Sequence, residues 1–415
     1  MRHFHTSSIL GVFMGIVSAA GADDWAEFRG PTGQGHYTGK PLPTRWSTTE
    51  NVVWKQPIPG KGWSSPVLYK GRIYLTTAVP SKDGKTLSLA ALCLDAASGK
   101  QLWQTEVFRR DAAKSPAIHG KNSHASPTPL TDGQQLFVHF GHQGTASLDL
   151  DGKILWTNDE LAYSPVHGNG GSPILVDDKL VFSVDGSDKQ YVVALKCASG
   201  KIAWKTDRKS TAPRKFSFST PLAISLNGSK QVISPASDAV IAYDAVDGKE
   251  LWRVKYDGYS VIPRPVHGHG LIFMGTGYDR PTVLAIRTQG MGDITDSHVA
   301  WKLIKAAPHT PSPLLAGTEL YLISDGGIAS CLDARTGKVH WQERVGGNFS
   351  ASPMLAGDKI YLQSEEGVAT VLRAGKKFER LAQNAMNERT LASLAAADGS
   401  IYLRTEGHLY RIQEK

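Results

Sequence analysis

The chain has 415 residues, of which 42 are Gly, 22 are Pro and 20% are charged, and its formal net charge is +8. This composition is typical of a turn-rich globular protein, and no apolar run reaches the ~18 to 20 residues that a transmembrane helix needs. The 46 Lys and Arg residues are spread along the sequence without a basic block, which disfavours nucleic-acid binding and leaves at most a mild attraction to anionic surfaces.

Residues 1–22 have the pattern of a cleavable secretory signal. Arg2 supplies a positive charge, residues 9–17 form a short apolar stretch, and an Ala-x-Ala cleavage pattern ends at Ala22. A buried N-terminal strand is the alternative interpretation. Cleavage after Ala22 would send the mature chain to the periplasm or out of the cell, and no Cys stands near the cleavage site to carry a lipid.

A short motif repeats after residues 23–50, which we expect to form an extended segment. Gly-Lys-x-x-Trp occurs five times, and related units carry a Trp at a matching place. Five copies cannot be five active sites, so we interpret the motif as structural: Gly permits the positive φ of a tight turn, and Trp offers a large apolar surface to a neighbouring unit. The Trp residues assigned to the repeat are Trp54, Trp103, Trp156, Trp204, Trp252, Trp301 and Trp341. We expect Trp103, Trp204 and Trp252 to be buried and equivalent.

Each repeat has the pattern of four short strands. A Ser-Pro pair, such as Ser126-Pro127, or a similar pair opens an apolar run, an alternating strand such as RIYLTT follows, and a third run such as ALCLDA passes through the Gly-Lys turn into the fourth strand. Units begin near residues 64, 125, 171, 219, 263, 311, 351 and 391. The last unit lacks a fourth strand, and NVVWKQPI (51–58) precedes the first. We therefore predict one all-β domain over residues 51–413, an eight-bladed β-propeller of four-stranded antiparallel blades, closed by the N-terminal strand.

The repeat also resembles a known family. LDARTGKVHWQ (332–342) and its copies resemble the tryptophan-docking repeat of propellers of the pyrroloquinoline-quinone type, which include quinoprotein alcohol dehydrogenases and BamB. WAEFRGPTGQGHY (25–37), WKQPIPGKGWSSPV (54–67) and RPVHGHGLIFMGTG (264–277) resemble the bacterial exported proteins called PQQ-binding-like β-propeller repeat proteins. The resemblance covers nearly all of residues 24–413. It implies the propeller fold and little about function, since such proteins are named for their repeats.

Quinone chemistry would require more than the repeat. The resemblance to quinoprotein dehydrogenases implies a vicinal Cys pair beside the quinone, a carboxylate base and a calcium site. Cys93, Cys197 and Cys331 are far apart in the sequence, and no motif of that enzyme class frames the available carboxylates. We expect no cofactor, pyrroloquinoline quinone included, and three small buried cysteines without a disulfide.

The HGHG stretch is a candidate metal site, because His267 and His269 could share one strand face. Aligned repeats place this stretch at the hairpin between the first two strands of a blade, so both histidines are interpreted as turn residues. The common hydrolase, zinc and nucleotide motifs do not occur.

Long, irregular loops are predicted to share one face of the ring, the long-loop face. This face carries the connections between blades and the loops from the second to the third strand, whereas the opposite turns are mostly short and alike. Binding residues concentrate on such loops. The candidate ligand-binding residues are His124, His142, His167, Asp185, Arg214, Arg264, Tyr278, Asp279, Arg280 and His309. The alternative is that these side chains only satisfy the loop backbones.

The sequence favours an exported, monomeric, non-catalytic propeller that acts as a binding or scaffold module. Because Arg214, Arg264 and Arg280 offer guanidinium groups, we expect an anionic partner, such as an acidic glycan, a small acid or an acidic loop of an envelope protein. The alternative is an enzyme on the same ring, either a quinoprotein oxidoreductase or a carbohydrate-acting enzyme, because fold alone does not choose between them.

Overall fold

A computed structural model describes residues 24–414 of the chain, and it has almost exclusively β structure. Eight sheets, each with four antiparallel strands at its core, confirm the predicted eight-bladed propeller. The secretory signal predicted over residues 1–22 lies outside the described residues.

Two short strands precede the first complete blade: β1 (His36–Tyr37) and β2 (Val52–Pro57). Blade one contains β3 (Val67–Tyr69), β4 (Arg72–Pro80), β5 (Thr86–Asp95) and β6 (Gln101–Asp111); blade two contains β7 (Leu130–Thr131), β8 (Gln135–His139), β9 (Thr145–Asp149) and β10 (Ile154–Asn158). Blade three contains β11 (Ile174–Val176), β12 (Lys179–Asp185), β13 (Gln190–Lys196) and β14 (Ile202–Asp207); blade four contains β15 (Leu222–Leu226), β16 (Ser229–Pro235), β17 (Ala239–Asp244) and β18 (Glu250–Lys255). Short 3₁₀ turns occur at Ala112–Lys114 and Gly141–Gln143.

Blade five contains β19 (Val266–Gly268), β20 (Leu271–Gly275), β21 (Val283–Arg287) and β23 (Val299–Leu303), with the inserted strand β22 (Gly292–Asp293) and helix α1 (Thr295–His298) between the last two. Blade six contains β24 (Leu314–Ala316), β25 (Glu319–Ile323), β26 (Ile328–Asp333) and β27 (Val339–Arg344); blade seven contains β28 (Met354–Ala356), β29 (Lys359–Gln363), β30 (Val368–Arg373) and β31 (Arg380–Ala385). Blade eight contains β32 (Ala395–Ala397), β33 (Ser400–Arg404) and β34 (His408–Gln413).

The ring closes as the sequence predicts. Strand β2 pairs antiparallel with β34, with Lys55 opposite Tyr410 and Trp54 opposite Arg411, and so becomes the outermost strand of blade eight. Pairing the two ends of the chain covers the β34 edge, which would otherwise present unpaired N–H and C=O groups.

In six blades the indole of the repeated Trp donates a hydrogen bond to the next blade. The indole N–H of Trp54 donates to the carbonyl of Ala96 at 3.1 Å, and that of Trp156 donates to the carbonyl of Cys197 at 2.7 Å. The ring of Trp54 covers Gly99, where φ is +74° and a Cβ would lie 2.7 Å from the indole. Glycine is therefore required twice in this turn, for its backbone conformation and for the close approach of the Trp.

Trp252 breaks this pattern, so the expected equivalence of Trp103, Trp204 and Trp252 is wrong. The long insertion of blade five replaces the Gly-Lys turn, and its strand β22 pairs in parallel with β18, placing Gly292 opposite Trp252. The indole of Trp252 is fully buried and donates to Gln231 of its own blade, whereas Trp103 remains partly exposed and donates to Leu150 of the next blade. The inserted strand β22 therefore packs beside Trp252 in the place where the Gly-Lys turn of the next blade packs against the repeated Trp in other blades.

Residues 25–37, which we call the axial plug, cross the ring on the short-turn face. The plug forms a β-bridge with β3 through Trp25 and Leu68, and it ends as β1, which pairs in parallel with β28 of blade seven. Between these points, Arg29 donates to the carbonyl of Pro313 at 2.8 Å, and the N–H of His267 donates to Gln34 at 2.7 Å. The segment expected to be simply extended therefore links several blades across the axis.

Candidate functional site

A belt of hydroxyl groups surrounds the axis where the innermost strands begin. In six cases a backbone N–H of one blade donates to the Ser or Thr hydroxyl of the next blade, at 2.9 to 3.1 Å. The accepting hydroxyls belong to Thr128, Ser172, Thr220, Ser312, Ser352 and Ser393. In blade two the belt residue is Thr128, two positions after the Ser126 of the Ser-Pro pattern.

Blade five has an arginine at this position in the belt. The N–H of Arg264 donates to Ser312, and its side chain turns towards the plug, where it donates to the carbonyls of Phe28 at 2.6 Å and Pro221 at 3.1 Å. Its guanidinium also lies 3.4 Å from the carboxylate of Glu27. Arg264 is almost fully buried, so the guanidinium that the sequence assigned to a loop is instead a contact between blade and plug.

The belt encloses a cavity of about 360 Å³ on the axis. Phe28 of the plug lines this axial cavity, and every other lining residue lies in a connection between blades or, for Tyr278, in the loop from β20 to β21. The cavity is therefore on the long-loop face, closed by the plug at its base. Its lining contains no Asp or Glu, and its lysine, Lys121, pairs with Glu365 at 2.7 Å.

Aromatic rings from the blade connections, and Tyr278 from the loop between β20 and β21, follow one another beside the axial cavity. Each ring of this aromatic arc contacts the next, with centroids 4.7 to 6.3 Å apart. The arc consists of His119, His167, Phe216, Phe218, Tyr259, Tyr278 and His309. Most of these rings also line the cavity, so they offer a ligand apolar contact surface above the polar belt.

Several candidate residues meet on this arc. His167 and Tyr278 line the axial cavity, and the ring of Tyr278 lies 4.7 Å from that of His309. The guanidinium of Arg214 stacks 4.6 Å from the ring of Tyr259, whose hydroxyl donates to Asp279 at 3.1 Å. His309 is held by Asp325, which accepts from its N–H at 2.7 Å. Arg280 is exposed in the same loop as Asp279.

Asp185 is placed differently from these residues. Its carboxylate accepts two hydrogen bonds from Arg208, at 2.7 and 2.9 Å, and both side chains are almost fully buried. Burial raises the pKa of Asp185 to about 6, against the opposing effect of the Arg208 guanidinium. A carboxylate that is buried and held by two hydrogen bonds from one arginine contributes to the packing of the blade. Asp185 also does not line the axial cavity.

His124 and His142 lie to one side of the axial cavity. His124 lines a second cavity of about 400 Å³, which shares Trp63, His119 and Asn122 with the first. His142 has two buried ring nitrogens without a hydrogen-bond partner among the described residues. Burial, followed by the neighbouring His124, lowers the pKa of His142 to about 4, so its ring is neutral at pH 7.

The belt and four of the seven rings of the arc were not identified as site residues from the sequence. The signal was present, because a Ser or Thr two residues or fewer from a Pro recurs in most units, but it was assigned only to strand beginnings. His267 and His269 lie at the hairpin between β19 and β20, on the opposite face. His269 takes a positive φ of 56° in the turn, as predicted, whereas His267 belongs to β19 and pairs with Ile272, so its interpretation as a turn residue is wrong. Among residues 24–414, no three His, Cys, Asp or Glu side chains are grouped to hold a metal ion.

Comparison with known proteins identifies one matching family model. A sequence model described as outer membrane protein assembly factor BamB matches residues 47–215 and again residues 188–415. None of the curated protein sequences matches the chain significantly. No helix among the described residues is long and apolar enough to cross a membrane.

Solved structures resemble the chain at low identity. BamB from Moraxella catarrhalis is 13% identical with a TM-score of 0.57, and the match covers 87% of this chain and 99% of that one. Quinohemoprotein alcohol dehydrogenase from Comamonas testosteroni is 11% identical with a TM-score of 0.67, covering 96% and 82%. A europium-containing methanol dehydrogenase is 10% identical with a TM-score of 0.66, covering 93% and 90%. At these identities the likeness concerns the fold alone.

Proposed function

The chain belongs to the family described as outer membrane protein assembly factor BamB, and on that premise we propose that it is an exported, non-catalytic binding module. Its ligand or partner is taken up at the axial cavity of the long-loop face. The observation that carries this proposal is the asymmetry of the axis, which the plug closes at one end while the other end keeps a cavity of about 360 Å³. That volume is within the range of small-molecule pockets.

The chemistry of the cavity supports binding over catalysis. Its lining combines hydroxyls, aromatic rings, the imidazoles of His119 and His167 and one paired lysine. Among the described residues no lining hydroxyl is hydrogen-bonded to either imidazole, and His119 accepts the backbone N–H of Lys121 instead, so the arrangement of a nucleophile held by a base is not formed. The buried carboxylate of Asp185 pairs with Arg208, and the half-buried carboxylate of Asp325 accepts the backbone N–H of His309. Rigid blades that hold polar and aromatic loop side chains are suited to recognition.

A protein partner in the cell envelope is one form of this proposal. The family description names an assembly factor of the outer membrane, and the long-loop face is irregular, as a protein-binding surface can be. An anionic glycan or small acid is the other form, since the lining contains no carboxylate that would repel it. The signal pattern of residues 1–22 supports export.

A quinoprotein enzyme is the second candidate, because two of the structural neighbours are named as dehydrogenases. Pyrroloquinoline quinone carries three carboxylates and is held with a divalent cation in such enzymes. The lining offers Lys121 alone as a permanent cation, already paired with Glu365, and no cluster of metal ligands occurs in residues 24–414. The residues present do not fit this group, so we derive no reaction step through it.

The proposal is tested by screening purified protein against saccharides, small acids and peptides in a thermal-shift assay. Phe218→Ala and Tyr259→Ala remove rings of the arc, and His269→Ala, on the opposite face, is the matched control. We expect ligands that stabilise the wild type to lose their effect in the arc variants and to keep it in His269→Ala. A ligand whose effect disappears only in His269→Ala would contradict the proposed face.

The enzymatic alternative has its own assay. Wild-type protein incubated with the quinone and Ca²⁺ is expected to give no dye-linked oxidation of alcohols or aldehydes above the rate without protein. Turnover that is lost in Phe218→Ala and retained in His269→Ala would instead support an enzyme on the same face.

A further inference from the structure

We propose that the hydroxyl belt makes the axial cavity a receptor for the carboxylate group of a small acid, with the body of the acid lying against the aromatic arc. This inference rests on the proposed function, because it names the class of ligand for the same cavity. It depends on the hydrogen-bonding polarity of the belt, the charge around it and the size of the space above it.

The belt presents donors to the cavity. Each of the six belt hydroxyls already accepts a backbone N–H from the preceding blade, and in the described part of the chain none of the six donates its own proton to a protein acceptor. A hydroxyl has one proton and two lone pairs, so accepting the N–H fixes one lone pair and leaves the O–H to be directed elsewhere. An N–H donated to a hydroxyl also polarises its O–H, which strengthens the donor.

A ring of converging donors selects for a ligand rich in acceptors. A carboxylate has two oxygens with about four acceptor positions and no donor, so it can take several of these protons at once. An amide of the same shape would direct its own N–H₂ towards the donors and leave groups unpaired. Leaving a buried polar group unpaired is what allows such a site to reject the wrong analogue.

The charges around the cavity favour an anion. No Asp or Glu lines it, and immediately beneath Phe28 lie Arg29 and Arg264, with Glu27 as the carboxylate that contacts Arg264. Arg29 is almost fully buried, and its Nε and Nη1 have no hydrogen-bond partner among the described residues. Burial, with a further contribution from Arg264, lowers the pKa of Arg29 to about 9, so it still carries its charge at pH 7. Among the described residues Glu27 pairs with Arg264 alone, whereas Arg29 donates to the carbonyl of Pro313, so the guanidinium of Arg29 leaves positive charge near the base of the cavity.

The space above the belt suits a small ring-shaped body. A cavity of about 360 Å³ is at the small end of ligand pockets, and His167, Phe218 and Tyr259 line its wall. Both a sugar ring and an arene can present an apolar face to such side chains. Hexuronates and arylcarboxylates therefore share the chemistry that the cavity recognises, and the experiment separates them.

The test compares each acid with its neutral amide by isothermal titration at low salt: glucuronate with glucuronamide, and benzoate with benzamide. We expect at least one acid to bind at least about tenfold more tightly than its amide, as expected for a hydrogen bond to a charged group. The pair that shows the larger difference identifies the source of the carboxylate. Equal binding of an acid and its amide would overturn the proposal while leaving a cavity-binding function intact.

Gly170 offers a matched pair of variants. It lines the cavity, its φ is not in the left-handed region, and a Cβ built on it meets only the Cβ of Phe218 at an ordinary 3.7 Å. Gly170→Asp and Gly170→Asn add side chains of the same size that differ in charge. We expect Gly170→Asp to weaken binding of the acid at least about tenfold more than Gly170→Asn. Equal loss in both variants would show that only space matters and would overturn the proposal.

The belt is tested by Ser352→Ala, with Ser219→Ala as the control. Both residues are buried, but the hydroxyl of Ser219 donates to the carbonyl of Pro263 and does not line the cavity. Ser352→Ala should weaken the acid about tenfold or more, and Ser219→Ala should change its affinity less than about twofold. If Ser352→Ala does not fold, Ser65→Ala serves instead, because Ser65 lines the cavity and, among residues 24–414, its hydroxyl accepts no N–H from another blade.

If none of the four probes binds wild-type protein, or if an acid binds unaffected by the Gly170 and belt variants, the proposal fails. The wider screen with the arc variants then decides separately whether the cavity binds any other class of ligand, so the two failures can be told apart.

Discussion

At one end of the central channel the axial plug crosses the ring, whereas at the other end the blade connections leave the axial cavity open. The plug is a single segment in which Trp25 is almost fully buried against blade one and Arg29 reaches the carbonyl of Pro313 in blade six. The open end is contributed by every blade, with hydroxyls at the base and aromatic rings above them. One end is built from one continuous stretch, and the other from pieces distributed along the whole chain.

The comparison distinguishes residues that stabilise the ring, which lie in the plug, from residues that are available to bind a ligand, which lie at the open end. The plug packs so closely that a Cβ on Gly30, at φ +78°, would lie 2.7 Å from the indole of Trp25, and one on Gly33 would lie 2.5 Å from the guanidinium of Arg264. At the open end Gly170 has room for a side chain, because a Cβ built on it meets only Phe218, at 3.7 Å. Substitutions in the plug should therefore reduce the free energy of unfolding, whereas substitutions at the open end should change binding.

We expect the largest effect on stability from opening the ring, because both ends of the central channel require a closed ring. Deleting residues 51–57 removes β2 and exposes the edge of β34, so we expect aggregation and loss of the cooperative melting transition. Size-exclusion chromatography with light scattering measures the outcome. A deletion variant that remains monomeric with the wild-type melting curve would contradict the closure account.

Two tryptophans compare the two ends directly. Trp25→Ala removes a fully buried ring from the plug and should lower the free energy of unfolding by about 3 to 5 kcal/mol. Trp63→Ala, at the wall of the axial cavity, removes a partly exposed ring and should cost clearly less. Urea denaturation of both variants measures this difference, and equal losses would remove the distinction between a structural and a ligand-binding end.

Two candidate carboxylates differ in the same way. Asp185→Ala leaves the buried guanidinium of Arg208 without its carboxylate and should cost about 3 to 5 kcal/mol. Asp279→Ala removes an exposed group 3.8 Å from Arg214 and should change stability by less than about 0.5 kcal/mol. Denaturant titration checks both values, and a stable Asp185→Ala protein would reopen Asp185 as a binding residue.

A smaller effect than the loss of Trp25 or Asp185 is a dependence of stability on pH beside the open end. Burial lowers the pKa of His139 to about 3 and that of His142 to about 4, below the ordinary value for histidine near 6.5. The folded chain then binds fewer protons than the unfolded chain between pH 6.5 and 4, so this stability is complete above pH 6.5 and is lost as the pH falls through that range. His142→Phe should reduce the loss by about 1 to 3 kcal/mol.

The control for the pH measurement is His269→Phe, an exposed residue on the opposite face. Melting temperatures recorded from pH 7 to pH 4 should fall less steeply for His142→Phe than for His269→Phe or the wild type. Parallel curves for all three proteins would indicate that His142 titrates as freely in the folded state as in the unfolded chain.

The candidate site shows which of its residues can be identified from the sequence pattern and which cannot. Loop length directed attention to the long-loop face, and on that face His167 and Tyr278 line the axial cavity. The charge of a residue did not indicate where its side chain would lie. Arg264 donates to the carbonyl of Phe28, which is distant in the sequence, and Asp185 pairs with Arg208, which belongs to no repeated motif. His119, Phe218 and Tyr259 were not selected, because single aromatic residues in loops carry no periodic signal.

The sequence by itself determined the eight repeats, the four strands in each, the docking Trp and the closure of β2 on β34, since all of these follow from local turn chemistry and a fixed period. Only the tertiary structure decided what happens on the axis. The plug becomes a base for the cavity because Glu27, Phe28 and Arg264 meet although more than 230 residues separate them. The belt becomes a ring of donors because each hydroxyl accepts an N–H from the preceding blade, a contact between units that no single repeat contains.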